Sequence, residues 1–231
     1  MRRSRLGRTT LGSVLALILG AVPAAAQVRG IPVNNSGVPT GLAVYGDVGF
    51  SNSDAGKGTA FGASGRLGVG PFGITGTLDR FNPSGPADNI TSVGGTLNYQ
   101  VFGGPLVPLT ATLQGGLGYD KVSDVKFYHV PIGLGIALTI PNPVLAIKPW
   151  LAPRVDIVHV TPPATVNVVG SGGSAALSSD TETHFGISGG VEFNLLNGIG
   201  LQASYDRVFV DGGDPGVFAA GLHYAFRIPG L

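Results

Sequence analysis

The chain of 231 residues is long enough for one sizeable domain and short for two. It has no cysteine, which excludes disulfides, thiolate metal sites and cysteine nucleophiles together. Charged residues make up 12% against roughly 25% in a soluble domain, and the 39 glycines follow no three-residue period, which excludes collagen. So little charge leaves a water-facing exterior hard to build.

The N-terminus reads as a secretory signal peptide. Arg2, Arg3, Arg5 and Arg8 form a basic head, residues 11–22 an apolar run, and Pro23-Ala24-Ala25-Ala26 a small-residue cleavage site before Gln27. The apolar run is shorter than the about 20 residues that a spanning helix needs. Cutting after residue 26 removes four of the 14 Lys+Arg and none of the 13 Asp+Glu, leaving a mildly acidic product. No basic stripe remains for nucleic acid.

Residues 27–39 are polar and proline-bearing, and are expected to be a periplasmic lead into a domain spanning 40–231. From there the chain alternates with period two between turn residues. Strands are expected at 41–51, 58–70, 72–82, 90–101, 108–121, 126–140, 144–160, 183–196, 199–209 and 216–227. In the second, Phe61, Ala63, Leu67 and Val69 oppose Gly62, Ser64, Arg66 and Gly68. In the fifth, Leu109, Ala111, Leu113, Leu117 and Tyr119 oppose Thr110, Thr112, Gln114, Gly116 and Asp120.

The polar face decides the orientation. It is mostly Gly, Ser, Thr, Asn and Gln with scattered charges, where a soluble sheet would carry many Lys and Glu. Small polar residues suit a crowded lumen, and the apolar face then belongs against lipid. Strands of about ten residues, tilted, have the length a bilayer requires. An open edge in hydrocarbon costs several kcal/mol per unpaired backbone group, so the sheet must close. The expected fold is all-β: a closed antiparallel up-and-down transmembrane barrel of about ten strands, with eight as the alternative.

Connections alternate in length. Gly70-Pro71, Pro141-Asn142-Pro143 and Leu196-Asn197-Gly198 are short; 51–57, 82–89, 122–125, 161–182 and 210–215 are generally longer and more polar. Short periplasmic turns with longer outer loops are the pattern of outer-membrane barrels. The 161–182 connection reads as disordered, with a lid or a surface contact region as alternatives. Aromatics near strand ends suggest two interfacial girdles, with Phe50, Tyr119, Phe185 and Phe218 (joined by Phe61, Phe81 and Tyr128) at the outer end. Phe72, Tyr99, Trp150 and Phe193 belong to the inner one. Pro131, Pro149 and Pro153 fall inside strands and predict a weakened seam beside the seventh.

The last strand, Gly221-Leu222-His223-Tyr224-Ala225-Phe226, resembles the assembly signal of outer-membrane barrels, with Gly221, Tyr224 and Phe226 as its marks. The resemblance implies recognition by the barrel assembly machinery during insertion. Residues 227–231 extend past the point where that family usually stops. Over nearly the whole mature chain the pattern is similar to the small outer-membrane barrels of the opacity type, the outer membrane protein A barrel and the outer membrane protein W type. That likeness implies export to the bacterial outer membrane and lipid as the surrounding partner.

Asp47, Arg66, Asp79, Lys148, Arg154, Asp156, Glu192 and Asp206 fall on the inward face or its margin and form a candidate lumen charge network. Buried opposite charges must pair to offset desolvation. One reading is a structural plug; the other is a narrow polar passage for small solutes. Inward glycines leave more room than usual in a lumen otherwise nearly filled by side chains. His129, His159, His184 and His223 lie on separate strands without metal-ligand spacing, and no motif names a cofactor. No catalytic residue is assigned. The best enzymatic alternative is a hydrolase mouth built from Asp156, His159, Asp180 and His184, which resembles the Asp and His sites of omptin-type proteases. The His-x-Ser pattern of barrel lipid A deacylases is missed at His159-Val160-Thr161 and His184-Phe185-Gly186. A soluble secreted β-barrel binding protein is the remaining alternative, disfavoured by the missing exterior charge.

Overall fold

The computed structural model describes residues 27–104, 107–163, 165–168, 173–176, 178–195 and 197–226. The expected signal peptide at 1–26 and the tail at 227–231 lie outside the described residues. Twelve strands follow in chain order: β1 (Gly41–Ser51), β2 (Gly58–Val69), β3 (Phe72–Pro83), β4 (Ile90–Gly104), β5 (Val107–Val122), β6 (Val125–Leu138), β7 (Leu145–Thr161), β8 (Thr165–Val168), β9 (Gly173–Ala176), β10 (Asp180–Leu195), β11 (Ile199–Phe209) and β12 (Gly216–Phe226). Ten of them close one antiparallel barrel in the order β1-β12-β11-β10-β7-β6-β5-β4-β3-β2, which sets aside the eight-strand alternative. β8 and β9 pair only with each other. The connection expected at 161–182 thus holds a small hairpin, with β7 and β10 running into its two ends.

Closure joins the first and last strands: β1 pairs with β12 from Leu42 opposite Phe226 to Ser51 opposite Val217. Both termini of the barrel lie at the end where the turns are short. There Gly70, at φ 58°, makes the two-residue link from β2 to β3 with Pro71. Such tight hairpins need a positive φ, which glycine supplies without steric cost. The opposite rim has one equally tight turn, between β5 and β6, where Ser123 takes φ 54°. The residues between Val122 and Val125 are therefore a turn and not one of the longer loops.

The period-two pattern sorts side chains as lipid-facing and lumen-facing. Leu97, Leu117 and Leu222 are 66%, 59% and 59% exposed on the outer wall. Arg66, Asp79, Arg154, Asp156, Glu192 and Asp206 are buried on the inner one. Trp150 and Phe81 correct the girdle assignment. Trp150 is 5% exposed and packs inward with Ala137 and Ala152; Phe81 is 2% exposed and packs inward with Ala60 and Ile90. Alternation is the reason: Trp150 shares its face with Arg154 and Asp156, and Phe81 with Asp79. Phe50, Phe61, Phe72, Tyr99, Phe185 and Phe218 are exposed on the outside, and Tyr119 and Phe193 are half-buried there.

The largest departure concerns residues 27–39. Expected as a periplasmic lead, they run up inside the barrel. Val28 and Ile31 bridge across a turn at Gly30, φ 78°, and the chain then descends to Pro39. Inward glycines make the space. A Cβ on Gly49 would overlap the Gly30 carbonyl, one on Gly68 the Pro39 carbonyl, one on Gly118 the Gln27 carbonyl, and one on Gly135 Asn35. An eight-stranded barrel has an interior just filled by side chains; ten strands with glycine inside admit a length of backbone.

Candidate functional site

The candidate site is the lumen with this segment in it. A backbone withdrawn from water needs partners for its polar groups, and the barrel wall supplies them from far along the sequence. The Arg29 amide donates to Ser92 Oγ at 3.3 Å and the Val33 amide to Asp206 Oδ2 at 3.0 Å. Gln114 Nε2 donates to the Asn34 carbonyl at 3.0 Å, and Asn35 Nδ2 to the Thr112 carbonyl at 3.3 Å. The segment is thereby held along its length by β4, β5 and β11.

Charged groups fall into separate clusters. Arg29 places Nε 2.7 Å from Asp120 Oδ2, and His129 Nε2 lies 3.0 Å from the other oxygen. The Arg29 guanidinium also lies 5.6 Å from the Phe127 ring centre. In the second cluster, Arg154 pairs with both Asp156 and Asp206 at 2.8 Å. In the third, Arg66 reaches Glu192 at 3.5 Å and lies 3.9 Å over the Tyr45 ring. Ser36 Oγ donates to Glu192 at 2.6 Å, and Gln202 Nε2 to Asp47 Oδ1 at 2.5 Å. Each cluster touches segment 27–39, through Arg29, Val33 and Ser36 respectively.

All eight residues of the expected charge network thus lie on the inward face, without forming one network. Lys148 points toward Gly37, where an added Cβ would sit 3.5 Å from its Nζ. Asp79 is buried opposite Ser92 and makes no ion pair among the described residues. The expected network does not include Arg29, Asp120 or Gln202, and His129 enters the sequence reading only as one of four separate histidines. Asp120 falls on the polar face of the fifth strand, so its parity is a signal; Arg29 has none, because its segment has no period.

A cavity of about 30 Å³ lies between the segment and the wall, bordered by Gln27, Asn34, Asp47, Arg66 and Gln202. That is space for about one or two water molecules. Toward the long-loop rim the lumen is apolar: Val28, Ile31, Ala60, Phe81 and Ile90 pack together, with Val122 against them. Phe127, Val158 and Val160 form a second apolar layer beside it.

The candidate hydrolase mouth is not assembled. Asp156 faces inward and is engaged by Arg154. His159 Nδ1 lies 2.7 Å from Thr181 Oγ1 on the exposed side, and His184 Nε2 pairs with Glu182 at 3.1 Å. The structure brings His184 and Asp156 to facing register positions, but His159 and Asp180 do not join them. Among the described residues no group of three or more His, Asp or Glu is placed to hold a metal ion.

The three residues expected to mark an assembly signal have distinct settings. Tyr224 and Phe226 lie on the lipid-facing side, edge to face at 4.8 Å. Gly221 faces inward, and a Cβ there would overlap Asp47 Oδ1.

A family model described as an outer membrane protein β-barrel domain matches residues 12–226. No curated protein matches the chain. Among solved structures, the β domain of the Bordetella autotransporter BrkA is 14% identical with a TM-score of 0.47, covering 80% of this chain and 98% of that one. The N-terminal barrel domain of Pseudomonas aeruginosa OprF is 11% identical with a TM-score of 0.37, covering 80% and 96%. Neisserial surface protein A is 16% identical with a TM-score of 0.37, covering 81% and 98%.

Proposed function

The chain belongs to the outer membrane protein β-barrel domain family, and from that premise we propose a barrel closed to solutes by its own segment 27–39, with a structural or surface role in the outer membrane. Segment 27–39 carries this reading. It occupies the space that a passage would need, it is bonded to the wall in three charged clusters, and its own Val28 and Ile31 complete an apolar layer with Ala60, Phe81 and Ile90 of the wall. Ions crossing such a lumen would have to shed water beside Phe81 and Val28, which is unfavourable. The passage for small solutes loses ground for that reason.

Export through a signal peptide cut after Ala26 completes the proposal, followed by insertion through the assembly machinery that reads Gly221, Tyr224 and Phe226. The longer loops then face the outside. There a hollow of about 790 Å³ is bordered by Asp54, Glu182, His184 and Asp211. The test is conductance in planar bilayers. The intact barrel is expected to give no stepwise current, whereas a variant lacking residues 28–38 should conduct. Reproducible steps from the intact protein would sink the closed reading.

A further inference from the structure

Gln27 follows the cleavage signature Pro23-Ala24-Ala25-Ala26, and the barrel is shaped around it. Two inward glycines that face each other across neighbouring strands, Gly94 on β4 and Gly118 on β5, form a notch. A Cβ on Gly94 would sit 2.8 Å from Gln27 Cγ and 2.9 Å from its Nε2, and one on Gly118 would overlap the Gln27 carbonyl oxygen. Gln27 is 6% exposed, and its Nε2 has no hydrogen-bond partner among the described residues. It borders the small polar cavity.

A cut after Ala26 would leave an α-ammonium in this notch. Burying a charge is unfavourable unless it is paired and hydrogen-bonded. The carboxylate on the cavity, Asp47, already accepts from Gln202, and nearby Glu192 is engaged by Arg66 and Ser36. Asp79 is the one nearby carboxylate with neither oxygen partnered among the described residues. It lies one step nearer the long-loop rim, at the level of Ser92, and does not border the cavity, so a retained α-ammonium would have to turn out of the notch to pair with it.

We infer that Gln27 is a modification site and that the mature chain begins with pyroglutamate; this rests on the reading that export cuts after Ala26. The α-amino nitrogen attacks Cδ of the residue's own carboxamide. A nitrogen–Cδ bond forms, the Cδ–Nε2 bond breaks, and Nε2 leaves as ammonia with a proton taken from the α-amine. No oxidant, reductant or second substrate enters. The ring removes the charge and the unpartnered amide nitrogen in one step.

Intact-mass measurement and N-terminal sequencing of protein extracted from outer membranes test the inference. The expected mass is that of residues 27–231 less one ammonia, with the terminus unreadable until pyroglutamyl peptidase treats the unfolded chain. A mass without that loss and a readable Gln27 would overturn the ring while leaving the cut in place. Any other starting residue would overturn both, and the mass itself reports which. Gln27→Ala keeps the cut and has no carboxamide to lose, so its terminus must be readable; blockage there would trace to another modification and overturn the assignment.

Discussion

Arg29 reaches across the lumen to Asp120, its Nε 2.7 Å from one carboxylate oxygen, although 91 residues separate the two along the chain. The pair ties segment 27–39 to β5, and both side chains are almost fully withdrawn from solvent. Breaking a buried pair from one side leaves a charge uncompensated, which costs about 3–5 kcal/mol. Asp120→Ala should therefore lower the stability of the barrel by about that much, stranding both Arg29 and His129. Arg29→Met combined with Asp120→Leu should cost far less than the two single changes together, because no charge is left behind. Urea unfolding in lipid vesicles measures the cycle. Additive costs would mean that the two groups do not interact in the native barrel.

Gly118 provides a way to eject the segment without touching it. Leucine there would overlap the Gln27 carbonyl, which is backbone and cannot swing aside like a flexible side chain. The absence of cysteine makes an introduced thiol a clean reporter. Val28→Cys places one at a position 3% exposed. It should resist a water-soluble thiol reagent in the native barrel and react about tenfold faster or more when Gly118→Leu is added, equivalent to about 1.4 kcal/mol of easier opening. Equal rates in the two backgrounds would show that the notch does not hold the segment.

How far the sequence could be read depends on which signal each residue carries. Strand positions and the inward placement of Arg66, Arg154, Asp156 and Asp206 follow from period two, which a barrel wall obeys strictly because one slip would turn charges into lipid. Trp150 and Phe81 were legible by the same rule, since they share parity with Arg154 and Asp79; their height near a strand end pointed the other way. Segment 27–39 was not legible. Apart from a local turn in which the Ser36 amide donates to Asn34 Oδ1, its backbone amides reach side chains far along the chain, Ser92 for Arg29 and Asp206 for Val33, and no local pattern encodes those partners. The inward glycines signalled spare room in the lumen, but not what fills it.

Trp150 reports its own orientation because it is the only tryptophan in the chain. With its ring turned into the lumen beside Ala137 and Ala152, it is shielded from acyl chains by the barrel wall. Its emission in bilayers containing brominated lipid should be quenched weakly. A variant carrying Trp150→Phe and Phe72→Trp moves the fluorophore to a position 61% exposed on the outer face and should be quenched strongly. If Trp150 itself is quenched as strongly as that control, the inward placement is wrong.

The β6–β7 ladder predicts where the wall is weakest. Paired positions run from Lys126 opposite Thr161 to Gly133 opposite Arg154, then stop, and resume at Ile136 opposite Leu151. Leu134 and Gly135 thus lie across from Ala152 and Pro153 without register pairing. On its other edge β7 pairs with β10 without a break from Val160 to Leu145. Proline explains the asymmetry. Pro149 and Pro153 are four apart, so their missing donors point to the same neighbour, and the interruption marks that neighbour as β6. Pro131 lies opposite Asp156, short of the break, and its own interruption falls between β5 and β6, where pairing skips from Gly115–Ile132 to Gly118–His129. Each net hydrogen bond contributes about 1 kcal/mol, so local opening at the seam is easier than elsewhere. The amide of Leu134, which points across the interrupted stretch toward β7, should exchange with deuterium several-fold faster than those of Gly186 and Ser188 on β10, which point to the other edge of β7. Equal protection on both edges of β7 would mean that the wall closes the gap by means other than its ladder.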